Sequence, residues 1–241
     1  MLNKHLIART SPNAKKENII FWKNYRVTVL QPRLFRVESS KNGQFRDDAT
    51  QSIWFRDMEK QKFQTEITQD SLIISTDFCK LMIKEKREDC RVELDGKWRK
   101  IDNEGNLKGT YRTLDCCDGD FCTASPWGTE TLGQIKLENG VCSLNGVAVF
   151  DDANSLTLGQ DGEIKSVRGE GADEYIFAYG DDYRAAVKAL YLITGKTPLL
   201  PRFVLGNWWS MCPARSARAS ATTGKPWKCF TRARILPRFW I

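Results

Sequence analysis

Histidine is nearly missing from this chain: one residue, His5, in 241. Imidazole is therefore no candidate general base, and any metal site would rest on thiols and carboxylates. Eight cysteines are present. Cys117 and Cys122 have four residues between them, but no second Cys or His pair completes a zinc set, so neither a metal nor a cofactor is expected. No apolar run approaches the roughly 18 residues of a membrane span, and no membrane association is expected. The opening stretch MLNKHLIARTSPNAKKEN holds no apolar segment of signal-peptide type. The expectation is a cytoplasmic protein with reduced cysteines.

Acidic residues are missing from one region only. After Asp182 the chain has no Asp or Glu, and residues 211–241 carry seven Lys or Arg. Taking those seven from the total of 37 leaves 30 basic residues against 30 acidic ones in 1–210. The body is neutral, and the net charge of +7 belongs to the last stretch. A nucleic-acid-binding domain would carry its basic face on the folded part, so no nucleic-acid partner is expected for the body.

What is there is β pattern. Tyr25, Val27 and Val29 alternate with Arg26, Thr28 and Leu30. Further strand-like runs are Ile19–Trp22, Leu34–Glu38, Ser52–Arg56, Phe63–Ile67, Leu72–Thr76, Lys80–Lys84, Gly146–Phe150, Ser155–Leu158 and Glu174–Tyr179. Turn residues at Lys41-Asn42-Gly43, Gln69-Asp70, Asp95-Gly96 and Asp161-Gly162 punctuate them. Short β runs at this spacing predict an antiparallel sandwich. Residues 102–146 are rich in Gly, Asp, Cys and Thr without a period, and read as a long, partly ordered loop region. One helix is marked over Tyr183–Thr194: Asp181 or Asp182 caps it, Ala186, Leu190 and Ile193 share a face, Gly195 supplies a left-handed end and Pro198 stops it. Pro201 to Trp209 then reads as a buried strand. The composition breaks inside that strand. Residues 211–241 read either as a disordered basic extension or as a shifted reading frame, and the second accounts better for a break at that point.

Several segments, in order, resemble the N-terminal region of glycoside hydrolase family 31. These are Tyr25–Glu38, Phe45–Gln51 with Trp54, Asn106–Asp115, Gly146–Asp152, and above all Tyr183–Ser210, ending in Gly-Asn-Trp-Trp-Ser. The resemblance covers about residues 17–210. It implies a galactose-mutarotase-like N-domain sandwich at 17–180 behind a mobile terminus at 1–16. It further implies a linker helix and first strand of a missing (β/α)8 barrel at 181–210, and a non-homologous tail at 211–241. Members of the family are mostly retaining α-glucosidases and α-xylosidases, which need two carboxyl groups roughly 5–5.5 Å apart. Both stand on the barrel in this family, and its Trp-x-Asp-Met-Asn-Glu-like nucleophile stretch has no counterpart here, so no catalytic residue is expected. In place of the family's Arg-Tyr after Trp-Trp-Ser stand Met211 and Cys212. Where relatives carry an Arg and an aromatic before the Asp-Asp motif stand Leu144 and Val147.

Four residues are implied as sugar contacts of a parent enzyme: Asp118 and Asp120 on an N-domain loop, Trp208 and Trp209 at the start of the barrel. Bland roles stand beside these, a solvated acidic loop for the aspartates and core packing for the tryptophans. Asp151 and Asp152 are adjacent, so a strand would send them to opposite faces, and an acid/base pair is not expected there. Three functions remain: an N-domain of an α-glucoside or α-xyloside hydrolase, inactive alone; a stand-alone carbohydrate-binding module; and a nucleic-acid binder acting through residues 211–241.

Overall fold

The computed structural model describes residues 7–108, 119–125, 128–135, 137–159, 161–167 and 171–196, with backbone alone at 119–125, 128–135 and 166–167. The chain divides into two units, 1–196 and 197–241, and the second lies outside the described residues. The tail, Pro198 and the strand expected at 201–209 fall there.

The described residues are mainly β, in antiparallel sheets, with one α-helix. The strands are β1 Ile19–Trp22, β2 Tyr25–Gln31, β3 Leu34–Ser39, β4 Ala49–Thr50, β5 Gln64–Ile67, β6 Ser71–Ser75, β7 Lys80–Lys84, β8 Arg91–Leu94, β9 Lys97–Lys100, β10 Gly119–Ser125, β11 Gly128–Ile135, β12 Ala148–Asp151, β13 Leu156–Leu158, β14 Ile164–Val167 and β15 Asp173–Phe177. The helix, α1, is Tyr183–Thr194. A central sheet runs β1-β2-β3-β15-β12, and β5 to β9 form a meander in sequence order. A small sheet runs β14-β13-β4, and β10 pairs with β11.

The alternation read in 25–30 explains how the layers form. Tyr25, Val27 and Val29 of β2, Phe35 and Val37 of β3 and Ile176 of β15 pack against Leu72, Ile74, Leu81, Ile83, Val92 and Leu94 of the meander. This is the sandwich core. Arg87, next to the meander, pairs with Glu174 of β15 and ties the layers at one side. The opposite face of the central sheet is buried too. Leu30, Leu34, Phe150, Tyr175 and Phe177 lie in a second apolar cluster with Ala186, Ala189, Leu190 and Ile193 of the helix. Those four positions are spaced three, one and three apart, one stripe of an α-helix. The Asp182 carboxylate accepts from the Ala185 N–H at 3.1 Å, as expected of an N-cap.

Four expectations need correction. Ser52–Arg56 is not a ladder strand. Its N–H groups at Trp54 and Phe55 donate to the Ile193 carbonyl, and Arg56 N–H donates to Ser11 O, so the run ties down the helix end instead. Gly195 has φ +95° with ψ 164°, which is not the left-handed helical end. Glycine is required there for the positive φ, and also because a Cβ would lie 3.0 Å from the Phe55 ring. The region 102–146 contains the β10/β11 hairpin, which among the described residues forms a sheet of its own; its sequence carries no apolar alternation to announce it. The polar strands β8 and β9 were not expected, although their turn was. Asp95 and Gly96 both take positive φ, +52° and +74°, as a two-residue hairpin turn demands.

Candidate functional site

The strongest concentration of chemistry among the described residues lies on the second face of the central sheet, at the end the helix does not cover. Strand alternation puts Arg26, Arg36, Glu38 and Asp173 on the same face as Leu30, Leu34, Tyr175 and Phe177. Arg26 and Glu38 are direct partners across β2 and β3, and Arg36 lies opposite Tyr175. All four charged residues are buried.

The pairing is dense and fork-shaped. Arg26 Nε donates to Glu38 Oε2 at 2.6 Å and Nη2 to Oε1 at 3.0 Å. The same guanidinium donates to both oxygens of Asp47, at 2.7 and 3.0 Å. Arg36 grips Asp173 through Nε at 2.8 Å and Nη2 at 2.7 Å, and Nη2 lies 3.1 Å from Glu38. Two-point guanidinium–carboxylate contacts are the strong, directional kind. Burial alone would ease the proton off Arg36, but Asp173, Tyr175 and Glu38 outweigh it and hold the guanidinium well above its ordinary range. Arg26 is held up likewise against burial by Glu38 and Asp47. Burial opposes ionisation of Asp47, yet the hydrogen bond from Arg26 and the charges around it bring its carboxyl below the usual range.

A third arginine behaves differently. Arg56 is fully buried, and its Nε donates to the Tyr175 hydroxyl oxygen at 2.6 Å. Its Nη1 donates to the carbonyls of Asp48 at 3.0 Å and Pro12 at 3.3 Å. Nη2 has no hydrogen-bond partner and stands 4.0 Å from Asp152 Oδ2. Asp152 is 1 % exposed; its Oδ2 accepts from Thr50 Oγ1 at 2.8 Å, while Oδ1 has no partner. Burial, with the nearby charge of Asp173, pushes its carboxyl up to about 6, against the opposing pull of Ser155, Thr50 and Arg56. Asp151 is exposed beside it, so the two aspartates do point apart.

The cluster meets solvent at Asp47, whose side chain is 43 % exposed. A cleft of about 150 Å³ opens there, walled by Thr10, Asn13, Asp48 and Leu158 among others. Each of Glu38, Asp47 and Asp173 has an arginine nitrogen within 2.7 Å. Carboxylates held this way are committed hydrogen-bond acceptors. The cluster is a clamp joining β2, β3, β15 and the 46–56 segment. Among the described residues no group of three or more His, Cys, Asp and Glu is placed to hold a metal ion. Cys79, Cys90 and Cys142 are free and buried, with burial pushing Cys79 up to about 11.

Of the residues implied as sugar contacts, Asp118, Trp208 and Trp209 lie outside the described residues. Asp120 is placed by its backbone alone, in β10 opposite Gln134. The clamp residues were not singled out from sequence. Their signal was Arg26 and Thr28 in β2 and Arg36 and Glu38 in β3, polar residues alternating with apolar ones, which read as a solvent face until a third layer covers them.

No protein-family model matches the chain, and no curated protein matches it. Among solved structures it is similar to a family 31 glycoside hydrolase, the Flavobacterium johnsoniae dextranase, in a variant complexed with isomaltotriose. That likeness has 12 % identity and a TM-score of 0.47, over 76 % of this chain and 27 % of the dextranase. It is also similar to a family 31 α-xylosidase from a soil metagenome, complexed with xylose. There the identity is 12 % and the TM-score 0.47, over 78 % of this chain and 35 % of the enzyme. The chain thus spans about a third of the length of these enzymes or less.

Proposed function

We propose that this chain is the N-terminal β-sandwich domain of a family 31 α-glycosidase acting on α-glucosides or α-xylosides, and that it hydrolyses nothing alone. One observation carries the reading. The family-like segments 25–38, 146–152 and 183–194 are far apart in sequence, yet they meet as β2, β3, β12 and the helix packed on them. Segments that resemble one family in order and also share one core are hard to assemble by chance. Inactivity alone is part of the proposal and rests on the resemblance: the family's nucleophile and acid/base carboxyl both stand on its barrel, and the chain has no Asp or Glu after Asp182. In the parent enzyme Asp118, Asp120, Trp208 and Trp209 would meet the sugar, and the protein would work in the cytoplasm.

The deciding experiment assays the purified 241-residue chain on p-nitrophenyl α-glucoside and α-xyloside. No turnover is expected, and activity that co-purifies with this polypeptide overturns the proposal. A parallel NMR titration with maltose, isomaltose and xylosyl oligosaccharides separates it from a stand-alone carbohydrate-binding module. Saturable shifts at millimolar sugar favour the module. The nucleotide sequence around codon 210 adds a third readout: an alternative frame continuing as Arg-Tyr and barrel-like strands supports the domain reading, and its absence counts against a shifted frame.

A further inference from the structure

We propose that Asp152 is a buried proton-operated latch, whose protonation state sets how firmly the small sheet β14-β13-β4 is held on the central sheet. Asp152 sits where the two meet. It directly follows β12, the edge of the central sheet, and its N–H donates to the Asp173 carbonyl at 2.8 Å. Its Oδ2 takes the hydroxyl of Thr50, the last residue of β4. Thr50 Oγ1 in turn accepts the N–H groups of Ser52 and Ile53, and Gln51 N–H donates to Leu156 O. A single carboxyl therefore anchors the chain segment that carries β4 and lies against β13.

The charged and titratable groups that act on this carboxyl come from two elements. β15 supplies Asp173 and Tyr175, and the segment after β4 supplies Arg56. Asp173 is bound on both oxygens by Arg36, and Tyr175 accepts from Arg56. Among the described residues Arg56 is the one cation close to Asp152, yet its Nε and Nη1 are committed to the tyrosine and to backbone carbonyls, and Nη2 stays 4.0 Å away. An ionised Asp152 is thus desolvated and left without a direct ion pair; Oδ1 has no well-formed hydrogen bond, and only the Ser155 and Thr50 hydroxyls and the more distant Arg56 charge oppose the penalty. A neutral carboxyl escapes that penalty. The direction follows from linkage. Because the folded-state value, about 6, exceeds the unfolded one, Asp152 stabilises the fold at acidic pH and loses that contribution as pH rises through about 6. A gap of about two pH units corresponds to roughly a hundredfold change in the unfolding constant.

The test uses the full 241-residue chain. In a ¹³C-aspartate-labelled sample, the Asp152 carboxyl signal, assigned by its loss in Asp152→Asn, should titrate with a midpoint near 6. A midpoint at or below 4 overturns the proposal. Thr50→Val should move that midpoint further up, since it removes a hydrogen bond to the carboxylate. Urea unfolding of wild type and Asp152→Asn from pH 4.5 to 7.5 should show the ratio of their unfolding constants changing by roughly thirtyfold, most of it below pH 6; a ratio independent of pH overturns it. Amide exchange then tests the local part. Corrected for intrinsic exchange, protection at Gln51 and Ile53 should fall through pH 6 relative to amides of β6 and β7. Parallel behaviour of both sets overturns the latch even if Asp152 titrates near 6. Should Asp152→Asn fail to fold, selective broadening or retitration of the same signal in Thr50→Val supplies the assignment, and exchange on the wild type decides.

Discussion

Two arginine–carboxylate encounters lie side by side at the central sheet, where the Asp152 N–H donates to the Asp173 carbonyl, and they end differently. Arg36 points its fork at Asp173 and closes on both oxygens. Arg56 spends its donors on Tyr175 and on the carbonyls that fold the 46–56 segment, and approaches Asp152 no nearer than 4.0 Å. Burial is alike at the two sites, so burial does not set the outcome. What differs is the number of guanidinium donors left over after backbone groups are satisfied. The first site is a settled ion pair, and the second is a carboxyl whose charge the fold tolerates poorly.

The largest expected effect breaks the settled pair. Arg36→Met should cost about 3–5 kcal/mol in urea unfolding at pH 7, because it strands Asp173 and weakens the hold on Glu38 in a buried site. A loss below about 1 kcal/mol would mean that the pair is not desolvated as drawn. Phe35→Ala, one residue earlier and on the opposite face, should cost a similar ~3–5 kcal/mol through a cavity in the sandwich core. Its effect should be independent of pH and salt.

Matched amide substitutions sharpen the contrast by sign. Asp173→Asn should destabilise by about 2–4 kcal/mol at pH 7, since it leaves Arg36 short of its counter-charge. Asp152→Asn should be neutral or stabilising at pH 7 and should lose that advantage near pH 4, where the wild-type carboxyl is itself neutral. Asp47 runs the other way from Asp152. Its lowered carboxyl supports the fold above the ordinary aspartate range and withdraws that support as pH falls below it. The chain should therefore show acid unfolding at low pH together with a separate decline through pH 6.

Smaller effects lie outside the cluster. Asp182→Ala removes the helix N-cap and should cost about 1 kcal/mol, visible as loss of helical ellipticity before the main transition. Lys80→Ala breaks a pair with Glu93 on the exposed face of the meander, and should change stability by no more than ~0.5 kcal/mol in moderate salt.

The residues explain which parts were legible beforehand. The helix was, because Ala186, Leu190, Ile193 and the Asp182 cap are local signals. Strands β2, β3, β6 and β7 were, because they alternate or are continuously apolar. The hairpin turns at Asp95-Gly96 and Asp161-Gly162 were, because their backbone angles favour those residues. Strands β8 and β9 were harder, since Arg91-Val-Glu-Leu and Lys97-Trp-Arg-Lys carry mostly charge on the solvent side. The segment 52–56 misled because apolar and β-branched residues suit an extended chain whether or not it joins a ladder.

Composition and pattern alone determined that the chain is mainly β, that its helix spans 183–194, and that no complete pair of glycosidase carboxylates stands in its last 59 residues. Alternation also put Tyr25, Val27 and Val29 on one face of their strand and so Arg26 on the other, because a strand has a period of two whatever surrounds it. What it could not decide was whether that face meets water. Only the tertiary structure, by laying the 46–56 segment over the sheet beside the helix, made Arg26, Arg36 and Glu38 a buried clamp and left Asp152 without a direct ion pair. The physical reason is that ionisation depends on solvation and on which donors remain free, and both are properties of neighbours distant in sequence.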